Sequence, residues 1–535
     1  FSPLAKTLER RTPGGQSLRG ASTVEQRDWR ICGGFQRGAG APLCVVAEEG
    51  VTGEKPHRKG FSSRAVFWSL FVRTKSDPGF GGGAPSRFRK ETCFFPTRPA
   101  IGESKPIGAM RWHSTNKNRR VGAAAPTNVK GKKVSCLPPT LGLYIHIPFC
   151  KSKCIYCDFY SLAGAEEAMD RYVSALIRQL EELAPRCRAN PVDTVYFGGG
   201  TPSYLGVKRL KKIVKAVFHG YQVTKDPEIT LEANPDSLAD KRTVSALRRA
   251  GINRISLGVQ SADDGELRTI GRVHTFAQAE AAVEAVRRGK ISNLSLDLIY
   301  GLPGQSMESW QSTVEKILAL EPEHLSCYGL KVEEGTPLWQ RQEELELPDD
   351  DLQADMYLWT AQRLTAAGYE HYEISNFAKP GRQSRHNMKY WTLQPYAGFG
   401  PGAHSDFGDV RYAWVRDLET FCRGVETGES VLAESERIPP RDRDTEYLML
   451  GLRTARGIGR QEFENRFRLP FAPIAEALEP FRARGWAVEE DGRWRLTAEG
   501  FLLSNQIILS ALEALGREKE RRQRAAQNHD FRVTG

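Results

Sequence analysis

Residues 141–370 predict an α/β fold in which a parallel sheet forms an open, partial barrel of six βα units. Short runs of β-branched and aromatic residues, typical of buried strands, recur at 143–147, 194–197, 229–233, 255–259, 294–299 and 325–330. Between them lie helical stretches, such as 169–183, with the spacing of an amphipathic helix, and 242–250, which Gly251 would end. This alternation implies right-handed crossovers and a parallel sheet. Six units fall short of the eight in a closed TIM barrel.

The rest of the chain divides by composition and pattern. The expected regions are a basic, disordered extension (1–135), the barrel (136–370), an aromatic and Gly-rich linking region (371–438), a mostly helical domain (439–515) and a charged, frayed tail (516–535). Within the helical domain, 486–496 predicts a hairpin that turns at Asp491-Gly492. Helices followed by a small hairpin indicate a C-terminal α+β, winged-helix-like domain.

Composition and charge exclude several classes of protein. With 40% hydrophobic and 26% charged residues, the 535-residue chain is neither collagen-like nor wholly disordered. No apolar run approaches the roughly 20 residues that a bilayer crossing needs. The net charge of +11 is concentrated in residues 1–140, which hold 25 Lys and Arg against nine Asp and Glu. Because the remainder is mildly acidic, we expect no nucleic-acid partner.

The basic extension has three interpretations. Since the first methionine is Met110, we expect it to be non-structural sequence read from an upstream start. A nucleic-acid-binding arm and a transit peptide are the alternatives, but its basic and aromatic residues are scattered and it contains nine acidic residues.

Three of the ten cysteines are closely grouped, and these indicate a metal centre. Cys150, Cys154 and Cys157 form a C-x3-C-x2-C motif in a loop just after the first predicted strand. A structural zinc site normally takes four protein ligands, and this loop supplies no obvious fourth. Three thiolates on a 4Fe-4S cluster leave one iron open for chemistry, so the motif favours a cluster over zinc. The other cysteines form no regular framework of pairs, which predicts a reducing, cytoplasmic location.

The segment that runs from Tyr144 through His146 to the three cysteines resembles the signature of the radical S-adenosylmethionine (SAM) superfamily. The resemblance is to its branch around oxygen-independent coproporphyrinogen III oxidase and covers roughly residues 141–515. It implies a partial (βα)6 radical SAM barrel. It also implies that the open iron chelates SAM and that one electron cleaves the cofactor to a 5′-deoxyadenosyl radical.

Further motifs of that superfamily follow successive predicted strands. A glycine-rich segment at 197–202 lets the backbone approach a ligand closely. The residues that the resemblance implies at the SAM site are Tyr144, Tyr156, Gly199, Gly200, Thr201, Glu232, Gln260, Arg272 and Asp297. Taken singly, each acidic residue is more often a helix cap or an ion-pair partner, but their succession at strand ends favours a site.

In three features the chain resembles the HemW haem chaperones of this branch more than its oxidases. Phe159 stands where the oxidase motif carries a further cysteine, and residues 100–140 lack the aromatic segment expected of an oxidase. An H-N-x-x-Y-W element is present, and the haem-binding residues that it implies are His386, Asn387, Tyr390 and Trp391. Physically, an imidazole can ligate haem iron and aromatic rings can stack on the porphyrin. The alternative is that His386 merely hydrogen-bonds the backbone.

Two other segments extend the expected haem site. His404 is a second possible ligand, and 369–377 is expected near the same pocket. The resemblance predicts a haem chaperone with a 4Fe-4S cluster, SAM and haem, an electron donor and a haem-accepting protein as partners, and membrane contact only through the acceptor. Whether SAM is cleaved stays open. The alternatives are the oxidase and a structural zinc protein.

Overall fold

The computed structural model describes residues 139–238 and 240–533. The predicted extension 1–135 lies outside these residues. In the described part, the strands are β1 Leu141–Ile147, β2 Phe149–Cys150, β3 Leu162–Ala163, β4 Val192–Gly199, β5 Val223–Ala233, β6 Arg254–Gln260, β7 Asn293–Tyr300, β8 His324–Gly329, β9 Glu370–Glu373, β10 Asn376–Ala378, β11 Tyr396–Phe399, β12 His404–Phe407, β13 Val410–Trp414, β14 Leu432–Arg437, β15 Ile458–Gly459, β16 Ala487–Glu490 and β17 Arg493–Leu496.

The helices alternate with the strands through the first half of the described chain and dominate its end. They are α1 Met169–Cys187, α2 Val207–Gly220, α3 Lys241–Ala250, α4 Asp264–Thr269, α5 Phe276–Arg288, α6 Met307–Leu318, α7 Pro337–Gln340, α8 Asp350–Ala366, α9 Arg385–Trp391, α10 Leu418–Thr427, α11 Asp444–Gly451, α12 Arg460–Phe467, α13 Ala472–Arg482, α14 Ala498–Leu502 and α15 Ser504–Val533.

The centre of the fold is a mixed sheet of twelve strands in the order β14-β13-β12-β11-β1-β4-β5-β6-β7-β8-β10-β9. Strands β1, β4, β5, β6, β7 and β8 pair in parallel, as the six predicted strands require. The two end strands of the sheet do not pair with each other. The predicted fold class, an open partial barrel with a C-terminal α+β domain, is confirmed.

The local signals behind the predicted elements are visible in the structure. Helix α3 begins after Asp240, whose side chain accepts hydrogen bonds from two backbone N–H groups of the first turn. It ends at Gly251, which has the left-handed φ of +115° that glycine tolerates. The hairpin of β16 and β17 turns at Asp491 and Gly492, with φ of 50° and 72°, as a type I′ turn requires.

The structure differs from the predicted boundaries in two places. The region 371–438, expected to link two domains, contributes strands to both edges of the main sheet. Strands β9 and β10 extend it beyond β8, whereas β11 lies parallel to β1 and carries β12–β14 outside it. The tail expected to fray from residue 516 continues helix α15 to Val533. Buried Ala511 and Leu515, together with pairs such as Glu518–Arg522, support that helix.

The helical domain is joined to the sheet by a buried ion pair. Arg443, just before α11, donates from both terminal guanidinium nitrogens to the carboxylate of Asp406 on β12, with one contact at 2.6 Å. Charge-assisted bidentate pairs of this kind fix orientation as well as contributing energy. Among the described residues, no helix has the combined length and apolarity required for a membrane span.

Candidate functional site

A cavity of about 240 Å³ opens at the carboxyl ends of the parallel strands. Chemistry-bearing residues gather at this end of such barrels because the loops that follow successive strands meet there. Every residue expected from the sequence at the cluster, SAM and haem sites lines this one cavity, with the exception of His386. The sequence motifs, separated by up to about 240 residues, therefore converge on a single space.

The three motif cysteines lie together on one side of the cavity. Cys150 is buried on β2, and Cys154 and Cys157 are half-buried in the loop that follows. The Thr201 hydroxyl donates to the sulfur of Cys150 and a terminal guanidinium nitrogen of Arg272 donates to that of Cys154, each at 3.6 Å. The sulfurs of Cys150 and Cys154 thus each have a hydrogen-bond donor that stabilises the thiolate form.

Burial works against ionisation of two of these thiols. It raises the pKa of Cys157 to about 11 and raises the pKa of Cys150 in the same direction. Because metals bind the thiolate, metal binding must release these protons. No three His, Cys, Asp or Glu side chains in 139–238 and 240–533 are grouped to hold a single ion. A cluster makes no such demand, since each cysteine binds a different iron.

The cysteine loop is attached to its neighbours through the backbone of Ile155. Its N–H donates to the carbonyl of Ile270 at 3.3 Å, and its own carbonyl accepts from Leu338 N at 2.9 Å. Gly271 lies alongside with φ of +75°, and a side chain there would contact Ile155. The loop is therefore held on the end of α4 and the start of α7.

The glycine segment after β4 packs directly against the cysteine strand. A Cβ at Gly200 would lie 2.6 Å from the carbonyl oxygen of Phe149 and 3.0 Å from the sulfur of Cys150. At Gly199, which has φ of +115°, a Cβ would lie 2.6 Å from the ring of His146. Only glycine permits this approach, so these two positions bring the end of β4 up to the cluster side of the cavity.

Two carboxylates, on the parallel strands β5 and β7, are held in place by hydroxyl groups. Glu232 accepts from the hydroxyl of Tyr196 at 2.8 Å and from the backbone N–H of Gly199 at 3.2 Å. Asp297 accepts from Ser256 at 2.9 Å and from Ser295 at 3.2 Å. Both carboxylates line the cavity, where they can bind a positively charged or hydrogen-bond-donating ligand.

Gln260 and Arg272 present polar atoms that have no partner within the described residues. The side-chain oxygen of Gln260 and the Nε of Arg272 are buried and make no hydrogen bond there. Gln260 also has φ of +71°, a strained conformation that is concentrated at functional sites in proteins. One terminal nitrogen of Arg272 donates to Asn234 and to the carbonyl of Gly258, and the other donates to Cys154. Since buried polar atoms are nearly always paired, these atoms fit a polar ligand.

Aromatic residues contribute much of the cavity lining outside the cysteine loop. Six of them line the cavity, and we call them the aromatic wall: Tyr144, Tyr196, Tyr328, Tyr390, Trp391 and Tyr396. Tyr144 stacks on Tyr196 with ring centroids 6.3 Å apart, and Tyr390 meets Tyr396 edge to face at 4.6 Å. The cavity lining therefore combines thiols and polar groups with a large aromatic surface.

His386 lies behind the aromatic wall rather than in it. Its Nδ1 is 2.8 Å from the hydroxyl of Thr194, its Nε2 is 2.8 Å from the hydroxyl of Tyr390, and its ring is fully buried. Burial lowers its pKa to about 3, with a contribution from the charge of Lys389. Asn387, Tyr390 and Trp391 of the same motif do line the cavity.

Several lining residues carried no sequence signal of their own. The stretch 369–377 reaches the cavity, as expected, through Glu373, Ile374, Ser375 and Asn376. Tyr196, Asn234, Tyr328 and Tyr396 were not among the expected residues. Tyr196 had one usable signal, because it lies two residues before Gly198 on the same strand and so shares its face.

The fold and the three-cysteine loop define a radical SAM protein. The family model described as the radical SAM superfamily matches residues 144–317, and that described as the HemN C-terminal domain matches 438–503. The chain is similar in fold to a coproporphyrinogen III oxidase (HemN) from Escherichia coli, a radical SAM enzyme. The TM-score is 0.63 and the identity 24%, over 71% of this chain and 91% of that one.

Curated relatives show which family within the radical SAM superfamily the chain belongs to. The chain is 35% identical to the heme chaperone HemW of Lactococcus lactis over 68% of its own length and 95% of that protein. It is 37% identical to the heme chaperone HemW of Escherichia coli over 70% of its own length and 98% of that protein. It is 34% identical to a mouse protein, radical S-adenosyl methionine domain-containing protein 1, mitochondrial, over 70% and 87%. The chain belongs to the HemW family, and its radical SAM domain implies a 4Fe-4S cluster and SAM.

Proposed function

We propose that this protein is a haem chaperone that binds haem beside a cluster-and-SAM site and transfers it to an acceptor protein. The observation that carries the proposal is the aromatic wall, which lines the same cavity as the three cysteines. An aromatic surface of this kind is suited to a porphyrin, because offset or edge-to-face aromatic contacts stabilise it. The names of the curated relatives support the same function.

Cys150, Cys154 and Cys157 would hold three irons of the cluster. When bound, the cluster and SAM supply the one-electron chemistry of the superfamily. The chain's own residues bind and orient: the unpaired atoms of Gln260 and Arg272 fit the polar groups of SAM. Tyr144, Tyr156, Gly199, Gly200, Thr201, Glu232 and Asp297 line the remainder of the same pocket.

The residues proposed for haem act in two different ways. Asn387, Tyr390 and Trp391 would contact the porphyrin, because they line the cavity. His386 would position Tyr390 through the 2.8 Å hydrogen bond between its Nε2 and the tyrosine hydroxyl. The histidine of the H-N-x-x-Y-W motif would then affect haem binding through the position of Tyr390 in the aromatic wall.

The partners and location are part of the proposal. Transfer of haem requires a haem-accepting protein, and reduction of the cluster requires an electron donor. Any membrane contact would come through the acceptor. The cysteines of the described residues are all free, which is usual in a reducing compartment such as the cytoplasm.

Anaerobic reconstitution of the full chain tests the proposal. We expect a cubane signal in electron paramagnetic resonance after reduction, saturable binding of haem, and no conversion of coproporphyrinogen. Haem should then move from the loaded protein to a haem-free probe such as apomyoglobin, followed by its absorption. Decarboxylation of coproporphyrinogen at useful rates, or the absence of haem binding, would refute the proposal. A colourless, zinc-containing protein would refute the cluster.

A further inference from the structure

One histidine of the described residues lines the cavity, and it is His404. It is the first residue of β12, half-buried, and close to the aromatic wall. The preceding Ala403 packs with Tyr144 and Tyr196 in one small apolar cluster. His404 is therefore the imidazole beside the surface that we propose for the porphyrin.

The backbone of His404 is held closely by β11. A Cβ at Gly398 would lie 2.1 Å from the carbonyl oxygen of His404, so only glycine allows the two strands this separation. The N–H of Gly398 donates to Ser405 at 2.9 Å, and its carbonyl accepts from the indole of Trp414 at 2.7 Å. Side chains on rigid strands make well-positioned ligands, because little order has to be imposed when the metal arrives.

The same face of the sheet carries an exposed carboxylate, that of Glu434, two strands away from His404. His404 pairs with Ala413 on β13, and Ala413 pairs with Glu434 on β14. Directly opposed residues share a face, and the small Ala413 leaves room between the other two side chains. Burial lowers the pKa of His404; the charge of Glu434 acts against this lowering, and the charges of Arg416 and Arg411 add to it. Metal-ligating histidines usually have such a carboxylate beside the second ring nitrogen, where it fixes the tautomer and raises ligand basicity.

His386 is held behind the aromatic wall by two hydroxyl groups. To reach haem iron it would have to leave the hydroxyl of Thr194 or of Tyr390, both of which hold it at 2.8 Å in full burial. A buried hydroxyl left without its partner is unfavourable, because its desolvation is no longer compensated. His386 would also have to move out from its stack on Tyr196.

We propose that His404 is the axial ligand of haem iron in this protein and that Glu434 is the positioning residue behind it. The inference rests on the proposed haem-carrying function. It assigns the iron contact to β12 and leaves His386 as the support of Tyr390.

Two porphyrins separate a ligand from a merely structural residue. The reconstituted full chain is titrated with haem and, in parallel, with metal-free protoporphyrin IX, which has no iron to ligate. Loss of a residue that only supports a metal ligand weakens binding about 10–100-fold. We therefore expect His404→Ala to weaken haem binding at least about tenfold, to lose the histidine-type absorption spectrum, and to leave protoporphyrin binding unchanged. Added imidazole should restore the spectrum.

Three further variants complete the test. Glu434→Gln should keep haem bound but raise its reduction potential, because the ligand becomes less basic. His386→Gln should keep the histidine-type spectrum, and so should the control His219→Ala, on the exposed face of α2. A wild-type spectrum in His404→Ala would overturn the inference, as would an equal loss of haem and protoporphyrin binding. Failure of the wild-type protein to bind haem would instead overturn the proposed function.

Discussion

The closest packing at the proposed cluster site allows a sharp test with one methyl group. In Gly200→Ala the new Cβ would lie 2.6 Å from the carbonyl oxygen of Phe149 and 3.0 Å from the sulfur of Cys150. That carbonyl accepts from Thr201 N at 2.7 Å, and the N–H of residue 200 donates to Ile147 O at 2.8 Å. Since backbone atoms on both sides are held, the added volume has to displace the cysteine strand.

Overpacking of this kind costs about 1–3 kcal/mol. If the strain is relieved by moving Cys150 away from the cluster, SAM binding weakens about 5- to 150-fold, since a loss of about 1–3 kcal/mol of binding free energy corresponds to that factor in affinity. The measurements are iron content and SAM affinity by calorimetry in the anaerobically reconstituted protein, with circular dichroism to verify folding.

A second glycine provides the control. Gly516 lies in α15 with open space where its Cβ would be, and alanine is favoured over glycine in a helix by about 1 kcal/mol. Gly516→Ala should keep wild-type iron content and SAM affinity. A folded Gly200→Ala protein with unchanged iron content and unchanged SAM affinity would refute the assignment of this cavity side to the cofactors.

Three other variants test the ligands, a cavity carboxyl and the domain junction. Cys154→Ala should abolish iron content and SAM binding, whereas Cys187→Ala, at the buried last residue of α1, should leave iron unchanged on metal analysis. Iron loss in the latter would mean that the ligands are misassigned. Burial raises the pKa of Glu373 from its ordinary 4.5 to about 7. Between these two pH values the folded state therefore binds a proton that the unfolded state has lost, and the free energy of unfolding falls as pH rises through this range. Glu373→Gln should remove about 3 kcal/mol of that fall; the check is urea unfolding at pH 5 and pH 8, and the same change in stability between these pH values in wild type and variant would contradict the prediction. Arg443→Met leaves the buried carboxylate of Asp406 without its bidentate partner and should destabilise the protein by about 3 kcal/mol, visible as a lower Tm, while an unchanged Tm would show that the pair contributes little.

Local patterns predicted the centre of the fold and missed its edges. The six parallel strands, the cysteine loop and the hairpin at Asp491-Gly492 each carry their signal within a few neighbouring residues. Strands β9–β14 are three to six residues long, and their Gly-rich, aromatic sequence has neither strand alternation nor helical spacing. The pairing of β11 with β1 joins segments about 250 residues apart. No local window contains that information.

The same limit explains the expectation for His386. Its neighbours Asn387, Tyr390 and Trp391 line the cavity, but whether the His386 ring faces the cavity depends on Thr194, 192 residues earlier in the chain. In the C-terminal tail, the charge density suggested fraying. There, Lys519 pairs with the buried Asp444 of α11, a contact from outside the segment that supports α15.

The residues that line the cavity come from two parts of the fold, and this bears on how one fold serves different chemistry. The carboxylates and glycines lie at the ends of the parallel strands β4 to β7, beside the cysteine loop that follows β1. Half of the aromatic wall and His404 come from α9, β11 and β12, which are added after the six parallel strands, with β11 and β12 outside β1 in the sheet. A substitution on the added elements can therefore reshape the porphyrin surface while the glycines and carboxylates of the parallel strands stay in place. Since function depends on such sites rather than on the fold, an oxidase of similar fold and a carrier can differ in cargo handling while sharing the cofactor side.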